Sequence, residues 1–174
     1  MKTLLLGVVI LIHCFAAFAF AMPISKLHDF ELADQYGKMR RYRFPKTMIS
    51  LVAVSDSKGA GQLAPWIQSV HNRYQERIDI DGVADVSTIP KLLRPMLTEF
   101  FKRQLAYSVM LDWDGSVVSQ FGYKKNVANL YLIDRSGRIV RWLSGEVSDK
   151  ALSALFGDID SRIADAGQNG SVDF

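Results

Sequence analysis

The spacing of apolar residues in the first half of the chain switches between the periods of strands and helices. A near-continuous β-branched and apolar run occupies residues 47–54 (TMISLVAV), which predicts a strand buried on both faces. After a loop of small and polar residues, apolar side chains recur at helical spacing from Leu63 to Tyr74. Alternation returns in residues 77–86 and predicts a second strand. A weaker alternation in residues 30–43, around Gly37, predicts a hairpin before this unit.

The second half of the chain has shorter and more regular elements. In residues 87–105 we expect a short helix, a break at Pro95 and a second helix from about residue 96, because proline removes a backbone donor. A strand over residues 107–112 and a short helix ending at Gly122 follow. The pattern ends with a hairpin and an amphipathic helix. The hairpin strands are residues 129–134 and 138–144, and the helix begins at residue 148.

This order of elements predicts an α/β fold. Its architecture is a three-layer sandwich, in which a central mixed sheet has helices on both faces. The domain spans residues 22–165, a typical length for a single domain. The polar, glycine-rich residues 166–174 predict a flexible tail.

The N-terminus has the layout of a secretory signal. Lys2 precedes an apolar run, and small residues follow at Ala17, Ala19 and Ala21. We therefore interpret residues 1–21 as a signal peptide and expect a periplasmic or secreted protein without a stable membrane anchor after cleavage. The alternative is an uncleaved anchor, because the apolar run approaches the length of a spanning helix.

Charge and cysteine content narrow the functional classes. The formal net charge is only +3, and the one basic cluster is small, so we expect no nucleic-acid partner. This cluster, which we interpret as a solvated face, consists of Lys38, Arg40, Arg41, Arg43 and Lys46. The only cysteine, Cys14, lies inside the predicted signal. The processed chain therefore has no disulfide, no thiolate nucleophile and no cysteine metal ligand.

Several segments resemble the thioredoxin-like redoxins of the bacterial periplasm. Residues 110–122 (MLDWDGSVVSQFG) and 129–155 (NLYLIDRSGRIVRWLSGEVSDKALSAL) are similar to the C-terminal half of those proteins. Pro65 and Ile67 also match the Pro-x-apolar step of their first helix. The likeness covers most of residues 48–156 and is closest to the cysteine-free, exported YtfJ-type family. It implies a thioredoxin-like fold.

The same resemblance indicates which residues replace the redox site. It places the two cysteine positions at Ser57 and Ala60, and the cis-proline position at Ala128. We expect a trans bond before Ala128, because a cis bond at a non-proline residue costs about 2.5–4 kcal/mol. Thiol–disulfide exchange requires a thiolate, so that chemistry is unavailable to the processed chain.

Other chemistry has weak support in the sequence. Ser57 as a nucleophile would need a base, and the processed chain offers only His28 and His71. A helix cap formed by Ser57 or Asp56 is the simpler interpretation. The 55–61 loop lacks the spacing of a phosphate loop. A calcium site would need a different spacing from that of Asp79, Asp81 and Asp85. We therefore expect no metal and no cofactor.

Two classes of function stay open. The first is a non-catalytic module that binds a protein or peptide partner in the groove that the redox site would have occupied, by pairing with backbone. The second is a redoxin-related accessory or an enzyme with non-thiol chemistry. The predicted binding residues come from two loops that the resemblance places at one end of the sheet. They are Asp56, Ser57, Lys58, Gly59, Ala60, Val127, Ala128 and Asn129.

Overall fold

A five-stranded mixed sheet forms the centre of the protein, whose computed structural model describes residues 26–168. The strands are β1 (Phe30–Ala33), β2 (Met39–Tyr42), β3 (Ser50–Ser55), β4 (Asp79–Asp85), β5 (Val109–Asp112), β6 (Asn129–Ile133) and β7 (Ile139–Ser144). The helices are α1 (Leu63–Tyr74), α2 (Arg94–Gln104), α3 (Val118–Phe121) and α4 (Asp149–Gln168). Three 3₁₀ turns occupy Ala60–Gln62, Gln75–Arg77 and Lys91–Leu93.

The main sheet has the order β5-β4-β3-β6-β7, with β3 at its centre. β3 runs parallel to β4, and β4 runs parallel to β5, whereas β6 and β7 are antiparallel additions. Every residue of β3 is buried, as the continuous apolar run predicts for a strand covered on both faces. Hairpin β1–β2 forms a separate two-stranded sheet.

Both faces of the main sheet are covered. On one face, α1 and α4 pack against Leu51 of β3 and Leu130 and Leu132 of β6. At the β4–β5 end of this face, α2 packs on Val109. The opposite face packs against the β1–β2 hairpin and the short helix α3, through a cluster that includes Val52. The predicted α/β, three-layer fold is confirmed, with a hairpin and one short helix forming the third layer.

The edge strand β5 is protected by the loop that follows β1. Gln35 accepts a hydrogen bond from the backbone N–H of Val109 at 2.8 Å and donates to the carbonyl of Tyr107 at 2.9 Å. Asp34 accepts a hydrogen bond from Ser108 Oγ at 2.7 Å. These side chains satisfy backbone and side-chain groups that an exposed edge would offer to other chains.

The structure corrects one element and extends another. A short 3₁₀ helix precedes α2 in the 87–105 segment, as predicted, but α2 begins at Arg94 instead of about residue 96. Pro95 lies in its first turn, where the missing N–H has no helical partner to lose. Helix α4 continues to Gln168, three residues into the predicted tail. The predicted signal peptide, residues 1–21, and residues 169–174 lie outside the described part of the chain. Within residues 26–168, no helix combines the length and the apolar content that crossing a bilayer requires.

Candidate functional site

The loop after β3 is organised by the carboxylate of Asp56. Its Oδ1 accepts hydrogen bonds from the backbone N–H groups of Lys58 at 3.1 Å and Gly59 at 2.9 Å. Its Oδ2 accepts one from the backbone N–H of Asn126 at 2.8 Å. An aspartate that bonds the backbone two residues further on forms a local turn. Asp56 therefore shapes its own loop and ties it to the segment that precedes β6.

Gly59 lies directly against that second segment. A Cβ atom at this position would be 2.2 Å from the carbonyl oxygen of Val127 and 3.1 Å from the backbone nitrogen of Ala128. Gly59 has an ordinary right-handed conformation, so the close approach, rather than the backbone angles, excludes a side chain here.

The backbone groups of Ala128 are both engaged within the chain. Its N–H donates to Gln62 Oε1 at 3.0 Å, and its carbonyl accepts a hydrogen bond from the backbone N–H of Gly145 at 2.9 Å. The peptide bond before Ala128 is trans, as predicted, since the cis peptide bond among residues 26–168 is the one between Phe44 and Pro45. An extended peptide would have to displace in-chain hydrogen bonds to pair with Ala128.

The side chain of Asn129 holds the segment that precedes β6 through hydrogen bonds. Its Nδ2 donates to the carbonyls of Lys124 and Val127 at 2.8 and 2.9 Å. Its Oδ1 accepts hydrogen bonds from the backbone N–H of Lys124 at 2.9 Å and from Trp142 Nε1 at 3.1 Å. Both polar atoms of the buried amide are satisfied, so this side chain supports the loop.

The structure thus brings the two predicted loops together, and the eight predicted binding residues differ in how far they are exposed to solvent. Gly59, Ala128 and Asn129 are buried in the contact between the loops, and Val127 is half-buried there. Ser57, Lys58 and Ala60 are exposed, and Asp56 is half-buried. As binding residues these eight stay a prediction, but the space between the loops is occupied by the protein itself.

A cavity of about 640 Å³ opens on the other side of the 56–60 loop, between α1 and α2. Its floor includes Ala53 and Gly82, which are paired across β3 and β4. Small residues at two facing positions leave space that larger side chains would fill. Most of the exposed lining is apolar, and Asp56, Ser57 and Ala60 line it where β3 ends. The apolar wall residues are Leu63, Ile67, Leu97, Phe101 and Leu105.

Sequence reasoning missed this cavity. The available signal was the placement of small residues at alternate positions of β4, where Gly82 and Ala84 point to the α1 side of the sheet. Ile67 was recognised as an apolar residue of α1, but the periodicity does not show that it faces a cavity instead of a packed core.

Asp85, at the end of β4, is one of the lining residues, but the two residues that hold its carboxylate, Ser87 and Tyr123, do not line the cavity. Its carboxylate accepts hydrogen bonds from Ser87 Oγ at 2.6 Å, from the Ser87 N–H at 3.1 Å and from the Tyr123 hydroxyl at 2.5 Å. Burial opposes ionisation of Asp85, but the hydrogen bonds from Ser87 and Tyr123 outweigh it and lower its pKa. Burial, together with Asp85, raises the pKa of Tyr123. Near neutral pH the pair is therefore a fixed carboxylate acceptor and a fixed hydroxyl donor.

The three aspartates considered for calcium have separate partners. Asp79 forms an ion pair with Lys46 at 2.8 Å, and Asp81 accepts a hydrogen bond from the Tyr42 hydroxyl at 2.5 Å. Asp85 is engaged as described above. Across residues 26–168, no group of three potential ligand side chains is placed to hold a metal ion.

Comparison with solved structures identifies the fold. The pneumococcal exposed lipoprotein thioredoxin Etrx1 from Streptococcus pneumoniae is 19% identical, with a TM-score of 0.61 over 75% of this chain and 99% of that chain. A thiol:disulfide interchange protein of the thioredoxin family from Chlorobium tepidum is 15% identical, with a TM-score of 0.57 over 82% and 98%. Peroxidoxin BcpB from Mycobacterium tuberculosis is 24% identical, with a TM-score of 0.55 over 77% and 96%.

The chain therefore has a thioredoxin-like fold, as the resemblance implied. No protein-family model matches the chain, and no curated protein matches its sequence. The relation to the YtfJ-type family stays a resemblance in sequence pattern. At these identities the structural likeness establishes the fold, and function has to be argued from the site.

The processed protein is expected to show no reduction of insulin disulfides or of hydroperoxides. Ser57 and Ala60 occupy the implied cysteine positions, and neither side chain supplies a thiolate. Insulin turbidity and a coupled hydroperoxide assay measure this, and turnover above the buffer blank would contradict it. The double substitution Ser57→Cys with Ala60→Cys should form a disulfide, because both positions are exposed on one loop, while its exchange activity stays poor with Ala128 in place of proline.

Proposed function

We propose that the protein is an exported thioredoxin-fold binding module, which holds a protein or peptide partner without thiol chemistry. The observation behind this proposal is the largely apolar cavity that opens beside the 56–60 loop. An apolar side chain of the partner enters the cavity, and the flanking partner residues lie across Asp56, Ser57 and Ala60. Export is supported by the signal-like pattern of residues 1–21.

The size and lining of the cavity suit an anchor residue. Its volume of about 640 Å³ lies within the usual range of ligand sites, roughly 300–1,000 Å³. Complete burial of a leucine or phenylalanine side chain contributes about 1.5–3 kcal/mol. Because both backbone groups of Ala128 are engaged, insertion of a side chain replaces strand addition as the mode of binding.

An enzyme with acid–base chemistry is the alternative, since Ser57 and His71 both line the cavity. The pair of Asp85 and Tyr123 beside it does not favour that chemistry. Asp85 has a lowered pKa and Tyr123 has a raised one, so neither is adjusted to exchange protons near neutral pH. A catalytic acid or base works best with a pKa close to the working pH. A largely apolar cavity with a few polar groups is typical of recognition sites.

The experiment is selection of a displayed random-peptide library on the processed protein, followed by affinity measurement on two alanine-to-tryptophan variants. Ala64 is an exposed residue of α1 that lines the cavity, so Ala64→Trp should obstruct it. Ala164 is an exposed residue of α4 that is not part of the lining, so Ala164→Trp is the matched control. We expect peptides with a bulky apolar anchor whose affinity falls at least about tenfold, or 1.4 kcal/mol, on Ala64→Trp alone.

Two results would overturn the proposal. One is enrichment of no peptide on the native protein. The other is equal affinity of the selected peptides for Ala64→Trp and the native chain, with both showing the same circular dichroism spectrum.

A further inference from the structure

The surface with the most exposed apolar side chains lies along α2 and its flanks, and of these side chains only Tyr107 also lines the cavity. Among residues 26–168, five of the eight large exposed hydrophobic side chains fall between residues 92 and 107. Scattered apolar residues are ordinary on a protein surface, whereas a concentration of this kind indicates an interaction site. These five, with their exposed fractions, are Leu92 (89%), Leu93 (42%), Met96 (67%), Phe100 (55%) and Tyr107 (50%).

Helix α2 has apolar side chains on two sides, and one of these sides packs against the rest of the domain. Leu97 and Phe101 pack against the β5 cluster and line the cavity. Met96 and Phe100, one turn apart, lie together on a side that is open to solvent. No residue of α2 is fully buried, so the contact with the domain leaves much of the apolar surface of the helix uncovered.

Basic residues accompany these apolar side chains. Residues 91–107 contain four cations and one acid, Glu99, which pairs with Lys102 at 2.6 Å. Arg94 stacks over the Trp113 ring at 4.8 Å and donates to the Trp113 carbonyl at 3.2 Å, which connects the start of α2 to the loop after β5. The other cations are Lys91 and Arg103, both exposed.

We propose that residues 91–107, the α2 face, dock on an anionic lipid surface. Protruding leucine, methionine and phenylalanine side chains enter the boundary between headgroups and acyl chains, and neighbouring lysines and arginines attract anionic headgroups. Charge complementarity favours this occupant over a second copy of the chain, because two such faces would bring like charges together. The test of this proposal is independent of peptide binding in the cavity, since Met96 and Phe100 do not line it, whereas Leu97 and Phe101 on the other side of α2 do.

The first test is co-sedimentation of the processed, exported protein with phosphatidylcholine vesicles, with and without phosphatidylglycerol. Binding should require the anionic lipid and weaken as salt is added. The double substitution Met96→Ser with Phe100→Ser should lower the partition coefficient at least about tenfold. The matched control is Met39→Ser with Met48→Ser, two exposed methionines outside the α2 face, which should bind as the native chain does.

A second readout locates the contact on the molecule. The processed chain has no cysteine, so Met96→Cys and Met39→Cys each accept a single environment-sensitive fluorophore. Anionic vesicles should shift the emission of the label at position 96 to the blue and leave the label at position 39 unchanged. The proposal is wrong if the protein binds neither vesicle, if binding survives the double substitution, or if both labels shift equally. Self-association that the double substitution abolishes, without vesicle binding, would assign the face to a second copy instead.

Discussion

Replacement of Asp112 by alanine is expected to lower the free energy of unfolding by about 3 kcal/mol or more. Asp112 is fully buried at the end of β5, where its carboxylate accepts three backbone hydrogen bonds. The donors are the N–H groups of Gly115 at 3.0 Å, Val117 at 2.9 Å and Val118 at 2.8 Å. Alanine leaves these donors without a partner, and each unsatisfied buried group costs about 1–3 kcal/mol. Urea denaturation followed by circular dichroism measures the loss.

Two companion variants separate this role from a general effect of removing charge. Asp114, two residues further along, is exposed and accepts a hydrogen bond from the backbone N–H of Ser116 at 2.9 Å, so Asp114→Ala should leave the urea midpoint nearly unchanged. Asp112→Asn keeps one acceptor oxygen, so its urea midpoint should lie between those of Asp112→Ala and Asp114→Ala. Equal midpoints for Asp112→Ala and Asp114→Ala would show that the carboxylate of Asp112 does not hold this turn.

Asp112 also shows how a local motif orders the core. Its hydrogen bonds fix the start of α3, and Val117, Val118 and Phe121 then pack with Tyr131 in the cluster on the hairpin side of the sheet. The sequence predicted a turn and a short helix here from the glycines and the apolar residues. It did not show that one carboxylate oxygen of the last strand residue binds the N–H groups at the start of the helix while the other binds the turn at Gly115.

The local sequence was sufficient for elements whose hydrophobic pattern is accompanied by a turn or cap signal. The observed bounds of β6, β7 and α4 differ from the predicted ones by at most one residue where the elements begin. Each has a strong turn signal beside it, such as Gly137 with φ 92° between the two strands. Period and turn chemistry agree at these positions, so the local sequence determines the element.

The candidate site depends on contacts that periodicity does not report. The partners of Ala128, Gln62 and Gly145, lie 66 residues before it and 17 residues after it in the printed sequence. The cavity floor depends on Ala53 pairing with Gly82, which is a consequence of strand register. The pattern shows which face of α1 is apolar, but the space between α1 and α2 follows from the sizes of side chains brought together across the sheet.

Those long-range contacts close the end of the sheet at which the resemblance places the redox site. The resemblance places substrate access at the end of the sheet where the 56–60 loop meets Ala128. In this chain Asp56 bonds Asn126, and Gly59 lies against Val127, so that end is closed by the protein's own backbone. The apolar cavity opens on the other side of the same loop. A binding function at the cavity is therefore compatible with a closed former redox site.

Substitution of Gly59 by alanine is expected to lower the free energy of unfolding by about 3 kcal/mol. It tests whether the contact between the two loops closes this end of the sheet. The new Cβ would be 2.2 Å from the Val127 carbonyl oxygen, and the obstructing atoms belong to the backbone, so one of the two loops has to move. Gly61, two residues along, has no atom within 4 Å of the corresponding position and no left-handed backbone angle.

Gly61→Ala is therefore the matched control, and it should stabilise the protein by about 0.4–1 kcal/mol through the unfolded state. Urea denaturation of both variants gives the comparison, and hydrogen exchange at the Asn126 N–H, which donates to Asp56, reports whether the loops have separated. Gly59→Ala should accelerate that exchange, and Gly61→Ala should not. If both variants unfold at the same urea concentration and Asn126 stays protected in each, the close approach of Gly59 to Val127 does not hold the end of the sheet closed.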